Sequence, residues 1–194
     1  MADLTKLAIK QVLETATAHK WSLQGMGMFR LYLSREVRLH VWDGRFTVER
    51  VSTLHTHPWD FTSHVLSGCL TDRKFKLWDS ATATGAAVPN YYEQKIVCGP
   101  GGGVAGEKTP VHLSTAGDST YHAGHTYSHA AADVHETVFK SGTVTLLERV
   151  FGKDTEHAMV YFRLDREWVS AEPRDAKPEE VEAMARVALD RWEP

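Results

Sequence analysis

The sequence has few cysteines and no long apolar run. Cys69 and Cys98 are its two cysteines among 194 residues, too few for a disulfide framework and without CxxC spacing, so we expect two buried thiols. No uninterrupted apolar run approaches the roughly 18 residues that a membrane span needs, and the start lacks a basic segment followed by a long apolar core. These absences predict a cytoplasmic protein with no membrane association.

Neither positive nor negative charge dominates the sequence. The chain has 22 Lys plus Arg against 25 Asp plus Glu, giving a net charge of −3 without a basic block, so we expect no nucleic-acid partner. With 42% hydrophobic residues, a chain of this length can bury roughly 70% of the surface that it exposes when unfolded. We therefore predict a single domain over residues 1–194.

Short runs rich in Val, Leu, Phe, Tyr and Thr fill the middle of the chain. Turn residues separate them at intervals typical of antiparallel strands, and the lack of alternating helices favours a sandwich or barrel. We predict a mainly β protein whose residues 26–165 form a jelly-roll β-barrel. Asp43 and Gly44 predict a type I′ hairpin between two runs. The predicted strands are residues 29–33, 37–42, 47–54, 63–70, 74–78, 91–98, 111–114, 143–150 and 159–164.

Both ends of the chain have a helical apolar pattern. An N-terminal helical segment, residues 1–25, is predicted from an apolar face over residues 4–19. A C-terminal helical tail, residues 166–194, is predicted to be helical over residues 177–192. Pro178 suits the first turn there, and Glu179 and Glu180 favour its positive end. We expect this helix to pack on the barrel or on a partner subunit.

Residues 99–106 are rich in glycine and satisfy the pattern GxGxxG with Gly101, Gly103 and Gly106. A dinucleotide site needs a helix directly after this motif, so that its N-terminal amides face the pyrophosphate. The residues that follow here lead back towards a strand. We therefore predict a mobile loop and not a nucleotide site.

Histidine is the unusual residue, with 11 copies concentrated between positions 55 and 135. His55 and His57 fall in a run that resembles a strand ending at Gly68. Alternate residues of a strand share one face, so these two imidazoles can converge on one metal ion from positions about 7 Å apart. A third ligand is expected downstream, where four histidines lie close together: His122, His125, His129 and His135.

The spacing around these histidines resembles the two signature motifs of the cupin superfamily, over roughly residues 50–150. In the first motif, two histidines separated by one residue are followed by a glutamate and then a glycine. Gly68 stands at the glycine position. Phe61 or Thr62 replaces the glutamate, and Glu49 replaces an earlier glycine.

The second motif is retained in spacing more than in residue type. Gly124 and His135 stand at its glycine and histidine positions. Ala130 and Ala132 replace its proline and its second glycine. Phe139 stands where an asparagine often follows.

The resemblance implies a small jelly-roll fold and a metal held by His55, His57 and His135, without an acidic ligand. Such three-histidine sites resemble those of cupin thiol and diketone dioxygenases, which hold non-heme iron. A divalent metal is therefore expected, with Fe(II) favoured and Zn, Ni or Mn possible. Three neutral imidazoles suit such ions, and open coordination positions are typical of catalytic sites. Homodimerisation is expected by analogy with cupins.

The surroundings of the three histidines are predicted from strand parity. Phe61 shares a face with His55 and His57 and should form an aromatic wall, whereas Asp60 should face away unless a bulge intervenes. His129 and His125 could line the pocket or lie on the surface, and His129 could add a ligand. Tyr127 is a candidate proton donor or oxygen-positioning group. Candidate arginines for a substrate carboxylate are Arg30, Arg38, Arg50, Arg73 and Arg149.

The function predicted from these residues is a metal-dependent, dioxygenase-like enzyme that oxidises a small chelating metabolite with O₂. Two alternatives remain open at this point. One is a cupin that binds a metal or a small molecule without catalysis. The other is a Zn- or Ni-dependent isomerase or lyase that uses the same ligands as a Lewis acid.

Overall fold

The computed structural model describes residues 2–78, 88–97, 104–150, 157–168 and 173–192, a mainly β chain with two sheets and two helices. Cys98 and residues 99–103 of the predicted loop lie outside this part. The helices are α1 (Ala2–Glu14) and α2 (Pro178–Asp190), with a short 3₁₀ turn at Ala16–Ala18. The strands are β1 (Ser22–Gln24), β2 (Met26–Tyr32), β3 (Val37–Thr47), β4 (Phe61–Ser67), β5 (Cys69–Trp78), β6 (Tyr91–Val97), β7 (Val104–His122), β8 (Thr126–His129), β9 (Val134–Phe139), β10 (Thr143–Arg149), β11 (His157–Arg163) and β12 (Arg174–Asp175).

All strand pairs within the two sheets are antiparallel, as the sequence predicts. The larger sheet has the order β12-β1-β2-β3-β10-β4-β8, and the smaller has the order β11-β6-β7-β5-β9. β4 continues into β5 at Gly68, so the chain passes from the larger sheet to the smaller one there. The mainly β fold class is confirmed, while a closed barrel is not seen among the described residues.

The main apolar core lies between the larger sheet and the two helices. Phe29 and Leu39 are fully buried on the sheet side, and Leu13 and Met184 enclose them from α1 and α2. The C-terminal helix begins at Pro178, as predicted, and the backbone N–H of Lys177 donates to the Glu180 carboxylate before its first turn. The helices thus cover one face of the larger sheet, which leaves its other face towards the smaller sheet.

The predicted hairpin at Asp43 and Gly44 is wrong, because β3 runs through both residues. Asp43 is fully buried and its carboxylate accepts two hydrogen bonds from the Arg45 guanidinium. The backbone N–H of Gly44 donates to the Ser141 hydroxyl. The bonds from the exposed Arg45 to the buried Asp43 carboxylate and from Gly44 to Ser141 therefore hold the chain extended where local turn chemistry favours a reversal.

Several predicted boundaries also differ from the structure. Residues 48–54 form no strand, so the run before His55 is irregular, and the predicted strand over residues 63–70 is divided at Gly68. The short runs at 74–78 and 111–114 belong to the longer strands β5 and β7. β8 and β9, which carry His129 and His135, were not predicted as strands. Cys69 is half-buried and not the buried thiol expected.

Gly68 is required by geometry at the passage between sheets. Its φ of +75° lies in the left-handed region, and an added Cβ would stand 2.8 Å from Thr143 Oγ1 and 3.0 Å from Thr143 Cα. Gly124 has a φ of +88° with nothing within 4 Å of its Cβ position. We expect Gly68→Ala to lower the free energy of unfolding by about 2 kcal/mol, against about 1 kcal/mol for Gly124→Ala. Urea unfolding measures both, and equal losses would contradict the steric reason.

The face of the larger sheet opposite the helices is unusually polar for an interior. Its buried members include Ser63, Thr145 and His40. Burial, and then the charges of Arg30 and Arg38, lower the pKa of His40 to about 3. The Nε2 atom of His40 has no hydrogen-bond partner among the described residues. This imidazole is therefore neutral at physiological pH.

The lowered pKa of His40 predicts a loss of stability in acid. The unfolded imidazole takes up a proton as the pH falls below about 6.5, while the folded one stays neutral until about pH 3, so folding becomes less favourable over that range. We expect wild-type protein to lose about 1.4 kcal/mol more than His40→Gln between pH 7.5 and pH 5.5. Urea unfolding at both pH values measures this, and parallel losses would show that His40 does not cause the acid sensitivity.

Neither helix among the described residues is long and apolar enough to cross a membrane.

Candidate metal centre

His55 lies in an irregular segment that is held by backbone bonds on both sides. Its N–H donates to the carbonyl of His135 and its carbonyl accepts from the N–H of His135, both at 3.0 Å. On the other side, the N–H of Thr56 donates to Met159 and the N–H of Tyr161 donates to Leu54. The segment therefore lies between β9 and β11, and His55 is directly paired with His135 without belonging to a regular strand.

The ring orientation of His55 leaves one nitrogen free to bind a metal. Its Nδ1 lies 2.8 Å from the backbone carbonyl of Thr53, which can only accept a hydrogen bond. Nδ1 must therefore carry the proton, and the lone pair is on Nε2. A carbonyl that fixes the tautomer in this way is a common partner of metal-binding histidines.

A carboxylate fixes the tautomer of the His135 ring in the same way. Its Nδ1 lies 2.9 Å from Oδ1 of Asp72, and both side chains are almost completely buried. Because the carboxylate accepts the Nδ1 proton, the Nε2 lone pair is again exposed to the site. Two of the three histidines are thus held in the tautomer that a metal requires.

His57 brings its own Nε2 to the same point. Its Nε2 lies 3.0 Å from Nε2 of His135, and the candidate donor atoms of His55, His57 and His135 all lie within 4.8 Å of one another. The ring of His57 is 4.7 Å from that of His55, measured between centroids. Strand parity correctly predicted that His55 and His57 converge, although these two residues do not lie on a regular strand.

All three imidazoles are neutral at physiological pH. Burial, followed by the nearby His135, lowers the pKa of His55 to about 3. Burial also holds the pKa of His57 well below its usual value, with His55 as the next cause. The pKa of His135 is lowered by burial, although the hydrogen bond to Asp72 opposes that effect. Neutral imidazoles are the form that coordinates metals.

Asp72 lies behind His135 and interacts with two imidazoles. Its Oδ1 faces His135, and its Oδ2 lies 3.0 Å from Nε2 of His129. Burial alone would raise the pKa of Asp72, but the two imidazoles more than offset this and hold the pKa below its usual value. A buried anion therefore stands next to the three neutral histidines.

Aromatic rings enclose one side of the three histidines. The ring of Phe61, which is buried, lies 4.7 Å from His57 and stacks on His129 at 5.1 Å. The indole of Trp59 lies 4.9 Å from His57, and the guanidinium of Arg38 lies 4.5 Å from the centre of that indole. The site therefore has an apolar wall with a cation beyond it.

Tyr127 lies further along the same wall. Its ring stacks on Tyr121 at 4.6 Å and lies 5.8 Å from His129. Burial raises the pKa of Tyr127 to about 12, partly offset by a hydrogen bond with Ser63. The phenol is therefore protonated at neutral pH and able to donate a hydrogen bond.

Other histidines and acids named from the sequence lie elsewhere. His125 is exposed, and its Nδ1 accepts a hydrogen bond from the backbone N–H of His122, away from the contacts of the three histidines that the structure describes. His64 points to the outer side of β4, where it contacts Thr126 and Glu148. Asp60 accepts a hydrogen bond from the backbone N–H of Ala131. The side chain of Asp60 thus holds the loop at Ala131 and does not face the three histidines.

Sequence reasoning missed Asp72 and the positions of Trp59 and Arg38. Asp72 shares strand parity with the buried Leu70, so an acid on the inward face of β5 was the available signal. Arg38 and Arg149 were two of the five candidate arginines, and both guanidinium groups lie over the indole of Trp59, at 4.5 Å and 5.8 Å from its centre.

Comparisons with known proteins identify no family for this chain. No protein-family model matches it, and no curated protein matches it. Among solved structures, it is similar to hydroquinone 1,2-dioxygenase from Sphingomonas sp. TTNP3, solved with 4-hydroxybenzoate bound. The two are 14% identical over 61% of this chain and 62% of that one, with a TM-score of 0.35. The match spans less than two thirds of that enzyme, so the chemistry of this chain rests on its own residues.

Proposed function

We propose that this chain is a metal-binding protein of the cupin type that acts as a non-heme Fe(II)-dependent, dioxygenase-like enzyme on a small chelating metabolite. The Nε2 atoms of His55, His57 and His135 would hold the ion. The observation that carries the proposal is the convergence of these three donor atoms, two of them in a fixed tautomer.

The donor set fits a divalent transition ion better than Mg²⁺ or Ca²⁺. Imidazole nitrogen suits Fe, Zn, Ni and Cu, whereas Mg²⁺ and Ca²⁺ prefer oxygen ligands. Two buried Nε2 atoms that face each other at 3.0 Å need a proton or a cation between them. A proton on Nε2 of His57 would satisfy the contact by donating to His135, and a metal ion bound to both nitrogens would replace that proton and use both lone pairs.

Three protein ligands leave coordination positions open, which favours catalysis over a structural role. Iron(II) at such a site would supply open positions for a chelating substrate and for O₂. Among the described residues no carboxylate joins the three histidines as a ligand, so the ion would keep its positive charge and favour an anionic substrate. Phe61 and Trp59 exclude water from one side, and Arg38 lies behind Trp59 as a further positive charge.

The protonated phenol of Tyr127 is the best placed candidate donor near this wall. Its hydroxyl is held by Ser63 and its pKa of about 12 keeps the proton on the oxygen. In this proposal it donates a hydrogen bond to an oxygen of the bound substrate. Its nearest ring contacts are to Tyr121, His129 and Phe61, so it would act on the distal part of the substrate.

Anaerobic purification followed by metal analysis and oxygen-uptake measurements tests the proposed function. Probe substrates are bidentate anions of three kinds: a β-diketone, an α-hydroxy acid and a thiol carboxylate. We expect one iron per chain in the three-histidine site and uptake of O₂ with at least one class of probe. His57→Ala should abolish uptake, and the matched surface variant His64→Ala should not.

Two results would contradict the oxidative function. Oxygen uptake that persists at the wild-type rate in His57→Ala would place the reaction elsewhere. In the second case, the protein binds one zinc or nickel ion per chain. If it then consumes no O₂ with any probe, even after that ion is exchanged for iron, the result would favour a Lewis-acid enzyme or a binding protein. Cupin-like dimerisation and a cytoplasmic location remain predictions that size-exclusion chromatography and fractionation can address.

A further inference from the structure

A second group of potential metal ligands lies behind His135, on the side away from His55 and His57. It consists of Asp72, His129 and the Nδ1 atom of His135, whose donor atoms lie within 4.8 Å of one another. The side chains of Asp72, His129 and His135 are exposed by 1%, 0% and 3%, respectively. The group is therefore more deeply buried than the three-histidine site.

Several polar atoms of this group lack a satisfied hydrogen bond. Among the described residues, neither Oδ2 of Asp72 nor either ring nitrogen of His129 has a well-aligned hydrogen-bond partner. The two side chains nevertheless approach to 3.0 Å between Asp72 Oδ2 and His129 Nε2. Leaving buried polar atoms without partners costs about 1–3 kcal/mol for each group. A proton on His129 Nε2 can satisfy this contact by donating to Asp72 Oδ2, and a cation bound to both atoms can take its place.

We propose that Asp72, His129 and Nδ1 of His135 form a second divalent-metal site, which shares the His135 ring with the first. The shared ring rests on the proposed function, because that function assigns Nε2 of His135 to the first ion. Each ion would bind one nitrogen of the same imidazole. The two sites would then form one dinuclear centre.

The distances between donor atoms suit a metal ion. Two ligands with bonds of about 2.1 Å stand about 3.0 Å apart at the right angle of tetragonal copper and about 3.4 Å apart at the tetrahedral angle of zinc. Asp72 Oδ2 to His129 Nε2 is 3.0 Å and Asp72 Oδ1 to His135 Nδ1 is 2.9 Å. A carboxylate with two imidazoles is a mixed oxygen and nitrogen set that suits zinc or copper.

Asp133 lies beside the other ring nitrogen of His129 and also accepts a hydrogen bond from the backbone N–H of Ala130. Its Oδ2 lies 3.4 Å from Nδ1 of His129, on the opposite side of the ring from Asp72. With the proton on Nδ1, the Nε2 lone pair is directed at Asp72 Oδ2 and both atoms can bind one cation; with the proton on Nε2, the ring donates to Asp72 instead. Binding of the second ion replaces the Nδ1 proton of His135, which is released to solvent.

Zinc stoichiometry in four proteins tests the shared site. Metal-free protein is loaded with Zn²⁺, freed of excess ion and analysed for zinc per chain. Wild type should retain two ions, His129→Gln one and His57→Ala one, because each substitution removes a ligand from a different site. His64→Ala is the surface control and should retain two. Circular dichroism and thermal unfolding establish that each variant is folded, and His129→Asn provides a second substitution.

The outcomes separate the second site from the first. One ion in wild type that is lost in His57→Ala and retained in His129→Gln would overturn the second site while leaving the first. One ion with the reverse pattern would support the Asp72 and His129 site and overturn the three-histidine site. No retained zinc in any protein would overturn both. A second zinc that survives in both His129→Gln and His129→Asn would also overturn the assignment.

Copper provides a spectroscopic test of the shared ring. Two Cu²⁺ ions bridged by one imidazolate are magnetically coupled, so the wild-type protein loaded with two copper ions should give a strongly reduced electron paramagnetic resonance signal. His57→Ala, with one copper, should give a full isolated-ion signal. A full signal from two bound coppers in wild type would show that His135 does not bridge them.

Discussion

Replacing His135 with alanine should weaken the binding of Fe²⁺ or Zn²⁺ by more than about 100-fold. Structural zinc sites with four ligands bind with about 10–16 kcal/mol, so one ligand contributes roughly 3 kcal/mol, which corresponds to that factor. His135 contributes a fixed Nε2 lone pair that faces His57 at 3.0 Å and pairs with His55 through the backbone. Competition with a chelator of known affinity measures the loss.

A matched control distinguishes ligand loss from general damage. His64→Ala removes an imidazole from the outer side of β4 and should leave the affinity for the metal unchanged. The backbone pairing between His55 and His135 does not involve the ring, so far-ultraviolet circular dichroism should show the same β content in His135→Ala. A variant that is folded and keeps full metal affinity would refute the ligand assignment.

The second large effect is expected at Asp72, which touches His135 but not the first ion. Asp72→Asn keeps an oxygen that can accept the Nδ1 hydrogen bond, yet it removes the negative charge that makes the His135 ring a stronger donor. Substitution of such supporting carboxylates typically costs 10-fold to 100-fold in metal affinity. We expect a loss in that range at the three-histidine site, measured by chelator competition in the His129→Gln background, where the second ion is removed.

The control for this experiment is Asp118→Asn. Asp118 is a partly exposed carboxylate on β7 that pairs with Arg73, and none of its described contacts is with one of the three histidines. It should change metal affinity by less than twofold, because screened surface charges contribute little. Equal losses in Asp72→Asn and Asp118→Asn would indicate a general charge effect and would contradict the role assigned to the contact between Asp72 and His135.

The spacing of His55 and His57, with one residue between them, identified the site correctly although the segment that carries them is not a regular strand. His55 and His57 were expected on a strand, and they instead lie in a segment held by isolated bridges. Their rings still converge, because the backbone near His55 is extended and paired with β9. Phe61 was placed beside them by the same parity, and its ring lies 4.7 Å from His57.

What the sequence could not supply was contact between strands that are far apart along the chain, such as β5 and β9, which are neighbours in the smaller sheet. Asp72 lies 63 positions from His135 along the chain, and neither local spacing nor composition relates them. The hairpin expected at Asp43 failed for a similar reason, since its pairing with Arg45 and the contact between Gly44 and Ser141 outweigh the turn preference. The contacts of Asp72 with His135 and of Gly44 with Ser141 are long-range, and local propensity does not predict them, whereas the pairing of Asp43 with Arg45 two positions away is local.

Anomalous X-ray diffraction from crystals of the metal-loaded protein tests the three-histidine site most directly. Data collected on both sides of the absorption edge of the bound metal locate the ion without assumptions about its ligands. We predict a peak about 2.0–2.2 Å from Nε2 of each of His55, His57 and His135. Bound metal with no peak at these three atoms would contradict the site and the function proposed from it.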